Sequence, residues 1–257
     1  MDIWQDRAKI NENYSSVIDP KDKSGMKAAY MKIVHEGAIK SFIKEIKPGE
    51  RVLDFGCGVG RILEYDLFLN ADYYGIDISS GMIKNARQKW KNRPHTNFYV
   101  YNGTLLPFEH ETFDYVISTW VFQHIVEDNK LEELIAELAG LLRPNGALLF
   151  IEQVRYNEYI ELFRNGTPFK KYRTAQHYKE ICGREFAEIN YELVPGVSNG
   201  FFYRIMSVLR IDLMKGFVPF FVSTDKFIYR LIFARSVFMR KIYIGKKWID
   251  FICYCTK

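Results

Sequence analysis

The chain has 257 residues, 48% of them hydrophobic, and its mean hydropathy is −0.18, which indicates a globular protein with ample core material. No uninterrupted apolar stretch approaches the roughly 18 residues needed to span a bilayer. The four cysteines form no C-x-x-C pair and the polar N-terminus is unlike a signal peptide, so we expect a reduced, cytoplasmic protein.

The hydrophobic pattern alternates between strand and helix spacing from residue 26 to residue 193. In chain order it predicts a helix at 26–46, a strand at 51–55, a helix from about Arg61, a strand at 73–78, a helix from Ser79 or Ser80 to about Trp90, strands at 97–101 and 113–118, a helix at 130–142, a strand at 147–152, a helix at 173–182 and strands at 187–193 and 248–256.

This rhythm is typical of an α/β protein. We predict a doubly wound, mainly parallel, seven-stranded sheet with helices on both faces and a helical insertion before the last strand. The domain prediction is a lid segment at 1–30, a ligand-binding core at 31–197, a basic aromatic helical insertion at 198–247 and the final core strand at 248–257.

The loop after the first strand carries the most specific chemistry. Asp54 ends that strand, and Gly56, Gly58 and Gly60 follow in a G-x-G-x-G pattern. Dinucleotide-binding loops instead read G-x-G-x-x-G and place a pyrophosphate at a helix N-terminus. A carboxylate at Asp54 would repel a pyrophosphate but suits an ammonium group. The loop therefore favours S-adenosylmethionine (SAM), which has an ammonium and no phosphate.

Four segments in order resemble the class I SAM-dependent methyltransferase family over roughly residues 30–193. They are Val-Leu-Asp54-Phe-Gly-Cys-Gly-Val-Gly-Arg, Gly-Ile-Asp77-Ile-Ser, Leu-Pro107-Phe108 with Phe113-Asp114-Tyr-Val, and Leu-Arg-Pro144-Asn-Gly146. The resemblance implies a Rossmann-like fold, SAM as cofactor and S-adenosyl-L-homocysteine as product.

The resemblance also assigns roles to residues. Asp54 and the loop from Gly56 to Gly60 would hold the methionine part of SAM, and Asp77 would accept hydrogen bonds from both ribose hydroxyls. Ile78 and Met82 would enclose the adenine. The remaining cofactor-site candidates are Cys57, Arg61, Asn102, Gly103, Thr104, Thr119 and Trp120. Asn102 stands where many relatives have Asp, and Asn-Gly is also a common turn dipeptide. We do not expect Cys57 to be a nucleophile.

Three residues are candidates for catalysis. His124 follows the fourth strand, where a base would reach an acceptor, and it also fits a capping or packing role. Tyr14 fits a lid partner of His124 by position. Glu152 closes the fifth strand, where its carboxylate is expected to face the cleft. No cluster with metal-ligand spacing appears, so we predict no metal.

The positive charge is concentrated at the C-terminal end. Residues 198–257 contain 11 Lys and Arg against 3 Asp and Glu, whereas residues 1–197 are slightly acidic. The pattern over 223–244 predicts a basic amphipathic helix that fits a lid, a dimer contact or a peripheral membrane contact, and we favour the lid. Nucleic acid is not expected as a partner.

We therefore predict a SAM-dependent methyltransferase that acts on the O or N of a small polar acceptor, preferably a sugar or glycan-pathway metabolite. Lys170, Lys171, Tyr172 and Arg173 suit an anionic or sugar-bearing acceptor, and they also fit a solvated surface cluster. Two alternatives stay open: a protein N-terminal-amine methyltransferase and a non-catalytic SAM-binding regulatory module.

Overall fold

The computed structural model of the chain describes residues 3–10, 22, 25–155, 160–194, 220, 222–223 and 249–257. Its α-helices are α1 (Ile3–Ile10), α2 (Met26–Phe42), α3 (Ser80–Lys89), α4 (Asp128–Leu141) and α5 (Ala175–Cys182). Its strands are β1 (Arg51–Phe55), β2 (Asp72–Asp77), β3 (Thr96–Val100), β4 (Phe113–Thr119), β5 (Leu142–Val154), β6 (Ile160–Arg164), β7 (Thr167–Tyr172), β8 (Glu188–Val194) and β9 (Ile249–Thr256). Short 3₁₀ helices occupy Arg61–Glu64, Asp66–Phe68 and Phe122–His124.

Seven of the strands form one sheet in the order β3-β2-β1-β4-β5-β9-β8. The first five strands of this order, β3, β2, β1, β4 and β5, pair in parallel, whereas β9 runs antiparallel to both β5 and β8. This confirms the predicted doubly wound, mainly parallel sheet. Because the chain order reverses between β1 and β4, the carboxyl ends of these two strands flank a crevice, where open sheets bind ligands.

Helices cover both faces of the sheet, as predicted. On one face α2 and α3 bury apolar side chains such as Val34 and Ala86, and on the other face α4 buries Leu138. The adjacent β1 residues Val52 and Leu53 belong to opposite core clusters, since successive strand side chains point to opposite faces. Burial on both sides fixes the carboxyl end of β1, where the glycine loop begins.

The last two strands of the sheet form the hairpin that the sequence suggested. β8 and β9 pair from Glu188 with Thr256 to Val194 with Asp250. The chain from 195 to 248 is thus an insertion between them, and most of it lies outside the described residues. So does the predicted basic helix at 223–244, apart from its first residue, and the proposed domain limits stay predictions. Among the described residues, no helix combines the length and apolar character that a membrane crossing requires.

The α-helix predicted from Arg61 is wrong. The chain instead makes two 3₁₀ turns, Arg61–Glu64 and Asp66–Phe68, separated by an extended Tyr65 with φ −87° and ψ 133°. The side chains at 62, 63, 67 and 68 are all buried. On one α-helix these positions would spread over about 240° of the circumference, too wide for one buried stripe. The extended backbone at Tyr65 reorients the second turn so that Leu67 and Phe68 also face the core.

Two elements were missed in the sequence. One is α1, within the predicted lid segment. The other is a separate antiparallel hairpin of β6 and β7, which turns at Asn165 and Gly166 with φ values of 50° and 78°. Asn-Gly is the preferred dipeptide for such a turn and was the available signal. In addition, α2 ends at Phe42 rather than near Ile46, because Ile43 already has extended backbone.

Candidate active site

A cleft of about 1630 Å³ opens at the carboxyl edge of the sheet. Its floor is formed by the ends of β1, β2 and β4 and by the start of antiparallel β9, while α1 and the β6–β7 hairpin contribute to its walls. The predicted site residues that line it are Asp54, Gly56, Cys57, Gly58, Arg61, Asp77, Ile78, Met82, Gly103, Thr104, Thr119, Trp120 and His124. Gly60, Asn102 and Glu152 do not line it, and Tyr14 lies outside the described residues.

The glycine loop is tied to the neighbouring strand and has no room for side chains at two positions. The amide of Gly56 donates to the carbonyl of Ile76 at 2.8 Å. Gly56 has φ 73°, and a Cβ there would lie 2.3 Å from Cγ2 of Val121. At Gly60, with φ 75°, a Cβ would lie 2.7 Å from Nε1 of Trp90. Only glycine fits at these two positions, and of the two it is Gly56 whose bare backbone borders the cleft.

Asp54 carries a buried carboxyl group at the start of this loop. It is 2% exposed and accepts a hydrogen bond from the Tyr73 hydroxyl at 2.6 Å. Burial raises the pKa of Asp54 to about 7, while the Tyr73 hydrogen bond and the positive charge of Arg61 oppose that shift. A cation that binds beside this carboxyl group would favour its ionised form. That is the property expected of a receptor for an ammonium group.

Asp77, at the end of β2, joins the loop to the next helix. Its Oδ2 accepts from the amide of Gly58 at 2.9 Å, and its Oδ1 accepts from the amide of Ser79 at 2.8 Å. Ser79 in turn caps α3 by accepting from the amide of Met82. Each carboxylate oxygen has a second lone pair, so the predicted bidentate contact to a ribose remains compatible with these bonds.

The residues expected around the adenine divide into two groups. Ile78 is 49% exposed within the cleft, and Met82 lines it from α3. Asn102 is exposed outside the cleft, and its Oδ1 accepts hydrogen bonds from the amides of Thr104 and Leu105 and from the Thr104 hydroxyl. This oxygen is committed to the local turn, which favours the turn role of Asn102; adenine binding there stays a prediction.

Trp120 follows β4 and has φ 59°, an uncommon conformation for a bulky residue. Its indole lines the cleft, and the Arg61 guanidinium carbon lies 5.2 Å from the ring centre. The preceding residue, Thr119, has a buried hydroxyl that meets no hydrogen-bond partner in the described structure. Such an atom is costly unless a ligand bonds it.

Two buried residues beside Trp120 were not recognised in the sequence as part of the site. The Trp120 Nε1 donates to Oδ1 of Asp250 at 3.3 Å, and Oδ2 of the same carboxylate lies 3.1 Å from Nε2 of His35. Asp250 is the second residue of β9, and it reaches the cleft because β9 is antiparallel. Sequence periodicity gave only its alternation with apolar neighbours, and nothing local indicated the distant His35.

His124 lies where the sequence placed it, in the 3₁₀ turn after β4. Its Nδ1 is 3.3 Å from the carbonyl oxygen of Phe169 in the β6–β7 hairpin. On its other side, the ring of Trp4 in α1 packs edge-on with centroids 5.0 Å apart. Parts of the fold that sequence reasoning missed therefore flank the predicted base.

The expected position of Glu152 in the cleft is wrong. Its carboxyl group is fully buried beneath the 3₁₀ turn and accepts from the amide of Phe122 at 2.7 Å and from that of Gln123 at 3.3 Å. Burial raises its pKa to about 8. A strand-end carboxylate faces the cleft only if no loop folds over it, and here two loop amides satisfy it.

The basic residues at 170–173, before α5, fall into two groups, of which one is structural and the other lines the cleft. Arg173 is fully buried, and Lys171 pairs with Asp128 at 2.8 Å, so these two side chains are structural. Lys170 lines the cleft, with its Nζ 4.6 Å from the centre of the Tyr172 ring.

Burial raises the pKa of the Cys57 thiol well above its ordinary value, in keeping with the expectation that it is no nucleophile.

A comparison with protein families decides the identity of the domain. Residues 53–150, from β1 into β5, match the family model described as a methyltransferase domain. Residues 53–150 therefore form a methyltransferase domain. The matched residues include the glycine loop, Asp77 and His124, and they form the central part of the methyltransferase fold.

Several curated relatives are named as methyltransferases. The chain is 32% identical over 111 residues to an uncharacterized methyltransferase of Anoxybacillus flavithermus, and the alignment covers 43% of this chain and 50% of the relative. It is 25% identical over 145 residues to the demethylmenaquinone methyltransferase of Tropheryma whipplei, with 56% and 59% covered. The chain thus spans about half the length of the curated relatives it matches.

Among solved structures, phosphoethanolamine N-methyltransferase 2 of Haemonchus contortus in complex with SAM superposes with a TM-score of 0.60 at 18% identity. The superposition covers 99% of this chain and 60% of the other. At this identity, the likeness concerns the fold.

The methyltransferase cleft fits SAM. Asp54 would hold the ammonium and Asp77 the ribose hydroxyls, as the resemblance implied, and the Arg61 cation beside Asp54 would suit the carboxylate. The half-exposed Ile78 offers an apolar surface, and the buried Thr119 hydroxyl, which has no partner among the described residues, could bond a ligand.

Proposed function

We propose that this chain transfers a methyl group from SAM to an oxygen or nitrogen of a small polar acceptor, with His124 as the general base. The observation that carries the proposal is the contact between Nδ1 of His124 and the carbonyl oxygen of Phe169 at 3.3 Å. A carbonyl oxygen only accepts, so a hydrogen bond at this contact forms when Nδ1 carries the hydrogen. In the neutral imidazole, Nε2 then holds the lone pair that a base needs.

SAM supplies an electrophilic methyl group on a sulfonium sulfur. The acceptor oxygen or nitrogen would form the new bond to that carbon as the carbon–sulfur bond breaks, and S-adenosylhomocysteine would leave as a neutral thioether. The acceptor proton passes to Nε2 of His124, which becomes imidazolium and later releases it to water. Because the donor carbon is already activated, alignment and water exclusion make up most of the protein's remaining contribution.

Gln123, next to the proposed base, supports an acceptor that donates hydrogen bonds. Its Nε2 donates to the carbonyl of Trp120 at 3.0 Å, which fixes the orientation of the amide. Its Oε1 is then buried beside the cleft and has no partner among the described residues. Leaving such an acceptor atom unpaired costs about 1–3 kcal/mol. An N–H or O–H of the acceptor would satisfy it.

The walls of the outer cleft support a polar acceptor with negative charge or hydroxyl groups. The β6–β7 hairpin contributes two aromatic residues, Phe163 and Phe169, and two cations, Arg164 and Lys170. Aromatic faces and cations together suit a sugar that bears an acidic group, and we keep a glycan-pathway metabolite as the preferred acceptor. The named relatives include a demethylmenaquinone and a phosphoethanolamine methyltransferase, so kinship alone leaves the acceptor open.

Two alternatives remain from the sequence. A protein N-terminal-amine methyltransferase would use the same base and the same cofactor site, and it would differ in taking a peptide. A non-catalytic SAM-binding module would bind the cofactor without turnover. The buried Oε1 of Gln123 beside His124, which has no partner among the described residues, favours an enzyme over the module, since a cofactor-only site has no use for it.

The experiment that separates these possibilities uses deuteriomethyl-SAM. The protein is incubated with it and, in parallel, with a small-metabolite extract and a pool of peptides with free N-termini. Mass spectrometry then identifies molecules that gain the labelled methyl group. We expect labelling in the metabolite pool. Labelling of peptides alone would support the amine alternative, and S-adenosylhomocysteine binding without labelling in either pool would support the module.

A further inference from the structure

A fully buried pair of titratable side chains lies beneath the cleft. Nε2 of His35 is 3.1 Å from Oδ2 of Asp250, and neither side chain has exposed surface. They come from α2 and β9 and are 215 residues apart in sequence. Replacing a buried pair of this kind by apolar residues is often neutral or stabilising. Stability of the fold therefore does not by itself account for the pair.

The pair contacts one residue of the cofactor cleft, Trp120. Asp250 accepts the indole N–H at 3.3 Å, and the His35 ring packs edge-on against the indole with centroids 5.2 Å apart. The backbone of Trp120 has φ 59° and is held by its amide, which donates to the carbonyl of Ile151 at 2.7 Å. A strained conformation persists only where its surroundings over-determine it, and such strain is concentrated at functional sites.

The indole in turn contacts Arg61. The guanidinium carbon lies 5.2 Å from the centre of the Trp120 ring, a cation–π contact. The positive charge of Arg61 also acts on Asp54. The methionine part of SAM carries an ammonium and a carboxylate. Asp54 matches the first group and Arg61 the second.

We propose that His35 and Asp250 are positioning residues for the amino-acid end of SAM, acting through Trp120 on Arg61. The carboxylate holds the indole N–H, and the indole face holds the guanidinium in its place beside Asp54. The pair therefore determines affinity for the amino-acid end of the cofactor and not for the nucleoside end, which lies toward Asp77. The inference rests on SAM as cofactor and does not depend on the acceptor.

The test compares two ligands that differ only at the amino-acid end. S-adenosylhomocysteine has that end, and 5′-methylthioadenosine is the corresponding nucleoside without it. Calorimetric Kd values are measured for wild type, Trp120→Phe and Asp250→Asn. Trp120→Phe removes the indole N–H and keeps an aromatic ring. We expect the Kd of S-adenosylhomocysteine to rise about tenfold in each variant, and that of 5′-methylthioadenosine to change less than twofold.

The double variant supplies a further check. If both residues act along one path, the double variant, which combines Trp120→Phe and Asp250→Asn, should bind S-adenosylhomocysteine no more weakly than the weaker-binding single variant. Asp114→Asn is the matched control, because Asp114 lies at the opposite edge of the sheet, where it bonds Arg143 and the amide of Arg51. It should leave both Kd values unchanged.

Two results would overturn the inference. An equal rise in the Kd of both ligands would mean that the pair only supports the fold of the cleft. An unchanged Kd of S-adenosylhomocysteine would mean that the contacts from the pair through Trp120 to Arg61 do not contribute to cofactor affinity. Failure of the wild-type chain to bind S-adenosylhomocysteine at all would instead remove the cofactor assignment. The two failures are thus distinguishable.

Discussion

Glu152 and Arg173 hold the backbone of one residue, Phe122, from opposite sides. The amide of Phe122 donates to Oε1 of Glu152 at 2.7 Å, while its carbonyl accepts from a guanidinium nitrogen of Arg173 at 3.2 Å. Arg173 also donates to the carbonyls of Ile125 and Val126. The turn that carries His124 is therefore fixed by two buried side chains, the carboxyl group of Glu152 and the guanidinium group of Arg173.

The first prediction concerns the pH dependence of stability. Burial raises the pKa of Glu152 from 4.5 to about 8, so the folded state holds a proton that the unfolded chain releases between these values. The stabilisation from Glu152 is therefore fully present below about pH 4.5 and is lost as pH rises toward 8. At 1.36 kcal/mol per pKa unit, the full effect is on the order of several kcal/mol.

Denaturant unfolding of wild type and Glu152→Gln from pH 5 to pH 8.5 measures this effect. Gln does not titrate, so the wild type should lose more stability than the variant over this range. Asp54 shifts in the same direction and is present in both proteins, so it cancels in the difference. Parallel curves would contradict the prediction.

The second prediction concerns Arg173. Arg173→Lys keeps the charge but cannot reach Asp128 and three carbonyl oxygens at once. We expect a loss of about 2–4 kcal/mol in the free energy of unfolding. Turnover should fall with little change in the Kd of S-adenosylhomocysteine, because the His124 turn loosens while the glycine loop stays intact.

Arg184→Lys is the matched control for that variant. Arg184 is 59% exposed and pairs with Glu132 at the surface, so its replacement should change stability by less than about 0.5 kcal/mol. Equal effects of the two substitutions would show that the buried network around Arg173 is not special.

The third prediction concerns the pH dependence of cofactor binding. Asp54, with a pKa of about 7, must ionise to receive an ammonium. Below pH 7 binding has to displace a proton, so affinity for S-adenosylhomocysteine should rise up to tenfold per pH unit until about pH 7 and then level off. Asp54→Asn should bind more weakly with a flat profile from pH 5.5 to 8. A flat wild-type profile would contradict this account of Asp54.

The fourth prediction concerns the docking of α1. A Cβ on Gly81 would lie 2.8 Å from the Cβ of Ala8 in α1, and the Gly81 amide donates to Oε1 of Gln5 at 3.1 Å. Gly81→Ala should therefore displace α1 from α3. Amide hydrogen exchange at residues 3–10 should become at least tenfold faster, while the sheet keeps its protection.

Asn85→Ala is the comparison for the α1 contact. It removes one hydrogen bond, from Nδ2 of Asn85 to the carbonyl of Ala8 at 3.1 Å, without adding volume. Its effect on exchange should be smaller than that of Gly81→Ala. The reverse order would mean that close packing at Gly81 does not control the docking of α1.

The sequence predicted the parts of this molecule that depend on local pattern. Alternating runs predicted the sheet, and the Asp54 to Gly60 loop predicted the cofactor cleft. Both signals are local, because a buried strand requires a run of apolar residues and a backbone with positive φ favours glycine. It did not predict the His35–Asp250 pair, whose members meet only after β9 inserts antiparallel beside β5. Glu152 shows the same limit, since its burial depends on a loop that folds over the strand end.

The Asn165-Gly166 hairpin is a different case. Its signal was local and was missed, although the hairpin holds Nδ1 of His124 through Phe169. The acceptor side of the cleft is built from this hairpin, α1 and the turn after β4, which come from separate parts of the chain. For that reason the sequence identified the donor more sharply than the acceptor.

The most direct test of the central claim is methyl transfer from deuteriomethyl-SAM to a metabolite extract by wild type and His124→Gln. The Gln amide can still donate to the Phe169 carbonyl but cannot take a proton, so it preserves the contact and removes the base. We expect one labelled product with wild type and a rate lower by about 10²–10⁴ with His124→Gln, at unchanged S-adenosylhomocysteine affinity. Equal labelling rates would contradict His124 as the base, and no labelled product from wild type would contradict the enzyme itself.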